Sequence, residues 1–152
     1  MAITTTANYI LNASNNLLDL RLKYGTTLSL AGQKAVVTGG SGVDYVYASA
    51  GTSVDFTQGG GGADMLYLDG AFVSYTKSVS GSVVTLSNLA GDTYTMDSGA
   101  GQKFVFANGS ITAADLVNSL SALNPAETSL TLPTATTTAP VRARAATTRR
   151  RR

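Results

Sequence analysis

Gly39-Gly40-Ser41-Gly42-Val43-Asp44-Tyr45-Val46-Tyr47 is followed, twenty residues on, by Gly59-Gly60-Gly61-Gly62-Ala63-Asp64-Met65-Leu66-Tyr67. Both stretches obey one pattern at every specified position: Gly-Gly-x-Gly-x-Asp-x-U-x, with U a large apolar residue. Glycine reaches positive φ and leaves room beside the backbone, so such a run folds into a tight turn whose carbonyls face a cation. The aspartate adds formal charge, and calcium takes its oxygen ligands from carboxylates and backbone carbonyls. The x-U-x triplet then forms a short strand that buries Val46 in one turn and Leu66 in the next. A flexible Gly-rich linker is the alternative, but linkers are poor in aromatic and β-branched residues. Here each glycine run leads directly into Tyr45-Val46-Tyr47 or Met65-Leu66-Tyr67.

The two nonapeptides resemble the calcium-binding repeat of RTX proteins, whose repeats wind into a parallel β-roll. The resemblance implies calcium held by Gly40, Gly42 and Asp44 in one turn and by Gly60, Gly62 and Asp64 in the next. It also implies a bacterial surface or extracellular setting.

The chain of 152 residues suits one domain and a tail. Only 7% of residues are aromatic and 13% charged, so the core is small and depends on stacked repeats or bound metal. Cys and His are both absent, which removes zinc sites, thiol nucleophiles, catalytic triads and the usual general base. Glu127 is the only glutamate, and the aspartates fall at turn positions, so no enzymatic activity and no small-molecule substrate are expected. Met1 to Tyr24 lacks a basic start followed by an apolar core, so no Sec signal peptide is expected. No apolar run approaches membrane-spanning length, and the chain is expected not to be transmembrane. Residues 1–135 hold five basic residues against nine acidic ones, a net charge of −4, and the six tail arginines reverse the sign. This is an acidic body with a basic tail.

The sequence predicts a mainly β fold: a short parallel β-roll or solenoid, then antiparallel strands and one C-terminal helix, with a disordered basic tail. Residues 1–17 form an N-terminal arm, 18–124 the calcium β-roll domain, and 125–152 the Thr/Ala/Arg-rich tail. Leu18 to Tyr24 alternates with the period of a half-buried strand, its polar face carrying Asp19, Arg21 and Lys23. Gly25-Thr26-Thr27-Leu28-Ser29-Leu30 resembles Gly51-Thr52-Ser53-Val54-Asp55-Phe56, and Gly32-Gln33-Lys34 matches the nonapeptide with Lys in place of Asp. If successive rungs alternate between two sides, Asp44 and Asp64 share one edge. Lys34 and Asp55 share the other, where they form an ion pair or Lys34 stays solvated.

Phe72 to Val79 and Ser82 to Leu86 flank Ser80-Gly81 as a hairpin, with Thr93 to Met96 as a third strand. Ser98 to Phe106 repeats the nonapeptide with Lys103 at the aspartate position, a calcium-free version of the turn that ends the sheet. Thr112-Ala113-Ala114-Asp115 has the form of a capping box, with Ile111 and Leu116 as its hydrophobic staple. The helix it opens carries Leu116, Val117, Leu120 and Leu123 and ends near Pro125. The order of strand, Phe-Ala-Asn-Gly-Ser turn and short helix resembles the end segments of calcium-roll modules in large bacterial surface proteins.

These readings point to a non-enzymatic, calcium-stabilised structural or assembly protein of a bacterial surface or extracellular layer. The alternative is a virion structural or decoration protein using the same roll. A solenoid this short needs neighbours or caps on its open ends, so a homo-oligomer or larger assembly is expected. Arg142, Arg144, Arg149, Arg150, Arg151 and Arg152 offer electrostatic contact with a polyanion such as nucleic acid or an acidic surface. A merely solvated tail is the alternative.

Overall fold

The computed structural model describes residues 2–5, 9–14, 17–22, 25–99, 101–118 and 123–125. The expected tail, Pro125 apart, lies outside the described residues.

The chain winds back and forth between two sheets. Strands β3 (Leu17–Leu22), β5 (Lys34–Thr38), β7 (Ser53–Gln58) and β11 (Thr93–Asp97) lie parallel in one sheet. Strands β4 (Thr27–Ala31), β6 (Tyr45–Ala48), β8 (Met65–Leu68) and β12 (Lys103–Phe106) lie parallel in the other. Each coil takes one strand from each sheet, so the parallel core is a flattened β-solenoid, as the sequence predicts. Strands β4, β5, β7 and β11 alternate buried and less buried residues, because successive side chains of an extended chain point to opposite faces.

Register turns this alternation into stacked rows. In the second sheet Leu28, Val46, Leu66 and Phe104 are in register on consecutive strands, and all four are fully buried. In the first sheet Ala35, Val54, Tyr94 and Leu86 form the facing row. Burial of large apolar side chains in such rows contributes roughly 1.5 to 3 kcal/mol each, and it fixes register, since a slip of one residue would turn every row outward.

Both ends of the solenoid carry antiparallel strands. At the first end, β1 (Ala2–Thr5) pairs with β4 and β2 (Tyr9–Ser14) pairs with β3, so both strands of the expected arm extend the sheets. At the other end, β9 (Thr76–Ser80) and β10 (Val83–Ser87) extend the first sheet beyond β11, and β13 (Gly109–Thr112) closes the second. Helix α1 (Ala113–Asn118) packs against β10 and β13. Thr112 caps it: its hydroxyl accepts the Asp115 amide at 2.9 Å and donates to the Asp115 carboxylate. Ile111 and Leu116 are buried as the staple requires.

Several sequence expectations meet the structure here. Lys34 is in register with Ser53 and Asp55 with Val36, so no Lys34–Asp55 pair forms; the Asp55 carboxylate instead accepts the Thr57 and Thr95 hydroxyls. Phe72–Ser74 is a turn of 3-10 helix, not strand. Ser80 pairs with Val83, which shifts the hairpin turn to Gly81-Ser82, with Gly81 at φ +61°. The helix is described over Ala113–Asn118, residues 119–122 lie outside the described residues, and Asn124 pairs in antiparallel fashion with Ser110. β11, expected only as a third antiparallel strand, also pairs in parallel with β7 and so forms a rung of the solenoid.

Candidate metal centre in a buried aspartate ladder

The two glycine turns stack directly on one another. The Gly61 amide donates to the Gly40 carbonyl oxygen at 2.8 Å, and the Met65 amide donates to that of Asp44 at 2.9 Å. A Cβ on Gly60 would lie 2.6 Å from the Gly39 carbonyl oxygen, and one on Gly62 would lie 2.6 Å from that of Gly42. Gly60 and Gly62 also sit at φ +78° and +106°, a region from which other L-residues are largely excluded. Glycine is therefore required twice over in the second turn, for conformation and for close approach. The six residues named from the sequence meet in pairs: Gly40 under Gly60, Gly42 under Gly62, Asp44 under Asp64.

Inside this stack runs a ladder of polar side chains, one per coil, each just ahead of a strand. Thr26, Asp44, Asp64 and Gln102 occupy it, and none is more than 5% exposed. The Thr26 amide donates to Asp44 Oδ1 at 2.7 Å, and the Gly40 amide donates to Oδ2 at 2.8 Å. The Asp44 amide donates to Asp64 Oδ1 at 3.0 Å, and Gln102 Nε2 donates to Oδ2 at 3.3 Å. All four donors are neutral amides. Two carboxylates are thus buried on adjacent coils with hydrogen bonds but, among the described residues, no cationic side chain bonded to them.

The electrostatic consequence is visible at both. Burial pushes the Asp44 carboxyl above its usual range, against the lowering effect of the Gly40 and Thr26 amides. Burial likewise pushes Asp64 from 3.8 up to about 6; the Asp44 charge adds to the rise, and the Asp44 amide and Gln102 oppose it. Desolvation and a like charge both disfavour the ionised form.

Gln102, not Lys103, stands at the aspartate position of the third turn, because Lys103 is in register with Met65. The sequence alignment, counted from the glycines, is one residue out. Counting back from the buried strand residue would have found both missed members of the ladder: Thr26 precedes Leu28 as Asp44 precedes Val46, and Gln102 precedes Phe104 as Asp64 precedes Leu66. Gln102 Oε1 is a buried acceptor without a hydrogen-bond partner among the described residues.

The donor set fits a hard cation such as calcium. It comprises two carboxylates, the carbonyls of Gly39, Gly40 and Gly42 gathered beneath the second turn, and the orphaned Gln102 Oε1. Among the described residues no group of three or more acidic, His or Cys side chains converges, so such a site depends on backbone oxygens. No helix among the described residues is long and apolar enough to cross a membrane. The chain matches no protein-family model, no curated protein and no solved structure.

Proposed function

We propose that this chain is a non-enzymatic structural module, a β-roll stabilised by calcium, that serves in the assembly of a bacterial surface or extracellular layer. The observation that carries this reading is the pair of buried carboxylates at Asp44 and Asp64 without a cationic partner among the described residues. Buried charges in proteins are paired or coordinate metals. Asp44 and Asp64 would hold the ion together with the glycine carbonyls, and calcium would supply the neutralising charge. The remainder of the roll positions these oxygens: the in-register rows of Leu28, Val46, Leu66 and Phe104 set the coil spacing, and the glycines allow the turns to touch.

The antiparallel strands at both ends support a module that does not need end-to-end stacking to complete its core. Assembly then proceeds through faces and edges rather than through open coil ends.

Calorimetry and size analysis at neutral pH, in chelator and in millimolar calcium, test the reading. Calcium that binds only the folded state raises the melting temperature by mass action, with an affinity on the order of 0.1 to 1 mM as in extracellular modules. A melting curve unchanged between chelator and about 10 mM calcium, well above that range, overturns it.

A further inference from the structure

At the opposite edge of the roll, where the β8–β9 connection meets the coil corner, lies a cavity of about 430 Å³ whose walls include Asp69, Tyr75, Asn88, Leu89, Ala90 and Tyr94. The Ala50 amide donates to Asp69 Oδ2 at 2.8 Å, and the next amide, Gly51, donates to Asp92 Oδ2 at 3.1 Å. The two carboxylates are thus held by adjacent amides, Asp69 in the cavity wall and Asp92 outside its lining. Asn88 Nδ2 holds Asp92 Oδ2 at 2.9 Å, which fixes the second carboxylate. Tyr94 is only 2% exposed, yet it lines the cavity, and its hydroxyl has no hydrogen-bond partner among the described residues. Burial and the two nearby carboxylates hold both the Tyr75 and the Tyr94 phenols above their usual range, so each keeps its proton.

Among the described residues no lysine or arginine lines the cavity, and Leu89 stands fully exposed at its lip. The chemistry is that of an acidic floor under an apolar rim. A bare metal ion leaves most of this volume unfilled. A neutral sugar would stack on an open aromatic face, but Tyr75 and Tyr94 are 6% and 2% exposed, with their rings packed edge to face. A guanidinium on a hydrocarbon stem matches both parts: its N–H groups donate to the Asp69 carboxylate in the wall, and its stem lies along the rim.

This chain itself supplies that group six times, in Arg142 to Arg152, while residues 1–135 carry a net charge of −4. We propose that the cavity beside Asp69 and Asp92 is an arginine-binding site, and that its occupant is the Arg142–Arg152 segment of this chain. The site is separate from the aspartate ladder and independent of calcium.

The test is fluorescence anisotropy of a labelled peptide of residues 141–152 titrated with the full-length protein at near-physiological salt. Saturable binding is expected. Leu89→Lys, at a side chain that packs on nothing, should weaken it at least about tenfold by placing like charge at the lip. Tyr94→Phe, which keeps the ring and removes only the hydroxyl, should weaken it several-fold. Gln58→Lys adds the same charge at an exposed position on the opposite edge and should leave affinity within about twofold, as expected of a distant surface charge. Light scattering separates the two sources of the segment. Wild-type self-association lost in Leu89→Lys marks a neighbouring copy. Tighter peptide binding after the six arginines are changed to Gln, with no change in size, marks the same copy. Equal weakening by Leu89→Lys and Gln58→Lys, or binding that does not saturate, shows only diffuse attraction between an acidic body and a basic peptide and overturns the site.

Discussion

Asp64→Asn tests whether the ladder is an uncompensated buried acid that awaits a cation. The folded protein raises the Asp64 pKa from 3.8 to about 6, so between those values the native state binds the proton that the unfolded chain releases. For a carboxyl shifted in this direction, stability is greatest below pH 4, declines as pH rises toward 6, and is flat above. The full decline corresponds to on the order of 3 kcal/mol at pH 8. Asparagine cannot ionise, so it removes this cost. Its Oδ1 keeps the hydrogen bond from the Asp44 amide, and its Nδ2 faces Gln102, whose orphaned Oε1 gains a donor once the amide turns over. Allowing about 1 kcal/mol for the altered hydrogen bonds, the variant should be roughly 1 to 2 kcal/mol more stable than the wild type at pH 8 in chelator. Near pH 4 the two should converge. Urea unfolding followed by circular dichroism across pH 4 to 8 measures the difference, and a repeat in calcium should reverse the order, because the wild type gains stability and the variant does not. A variant that shares the wild-type pH slope, or one markedly less stable at pH 8 in chelator, would refute the reasoning.

Further expectations concern the turns, the cap and the outer face. Gly60→Ala should destabilise by at least about 2 kcal/mol, since positive φ and the Gly39 and Gly40 carbonyls both oppose a Cβ, whereas Gly32→Ala, at φ +66° with open space around it, should cost only about 1 kcal/mol; thermal unfolding of the two separates close approach from backbone strain. Thr112→Ala removes the α1 cap and should cost about 1 kcal/mol by denaturant unfolding, with Thr112→Ser close to wild type. Tyr67→Ala should cost roughly 3 to 5 kcal/mol, because Tyr67 is 2% exposed and stacks on Tyr47 at 4.3 Å, while Leu89→Ala should be neutral; parallel melting curves distinguish them.

Local chemistry was legible in the chain because it depends on near neighbours in sequence. The glycine runs announced the turns, the apolar triplets announced the strands, Thr112 and Asp115 announced the helix start, and the shared spacing placed Asp44 and Asp64 on one edge a coil apart. The pairing of coils was not legible. Whether Asp55 meets Lys34 or Thr95, and whether Lys103 or Gln102 completes the ladder, depends on strand register. Register is set by how the inward rows pack, not by the residues that flank each turn. The aspartates' burial was likewise a tertiary outcome: a turn read alone is solvated, and only the coil stacked above removes its carboxylate from water. The second acidic corner arose the same way, since Asp69 and Asp92 are far apart along the chain and come together only because two consecutive amides of a third segment, Ala50 and Gly51, hold one each.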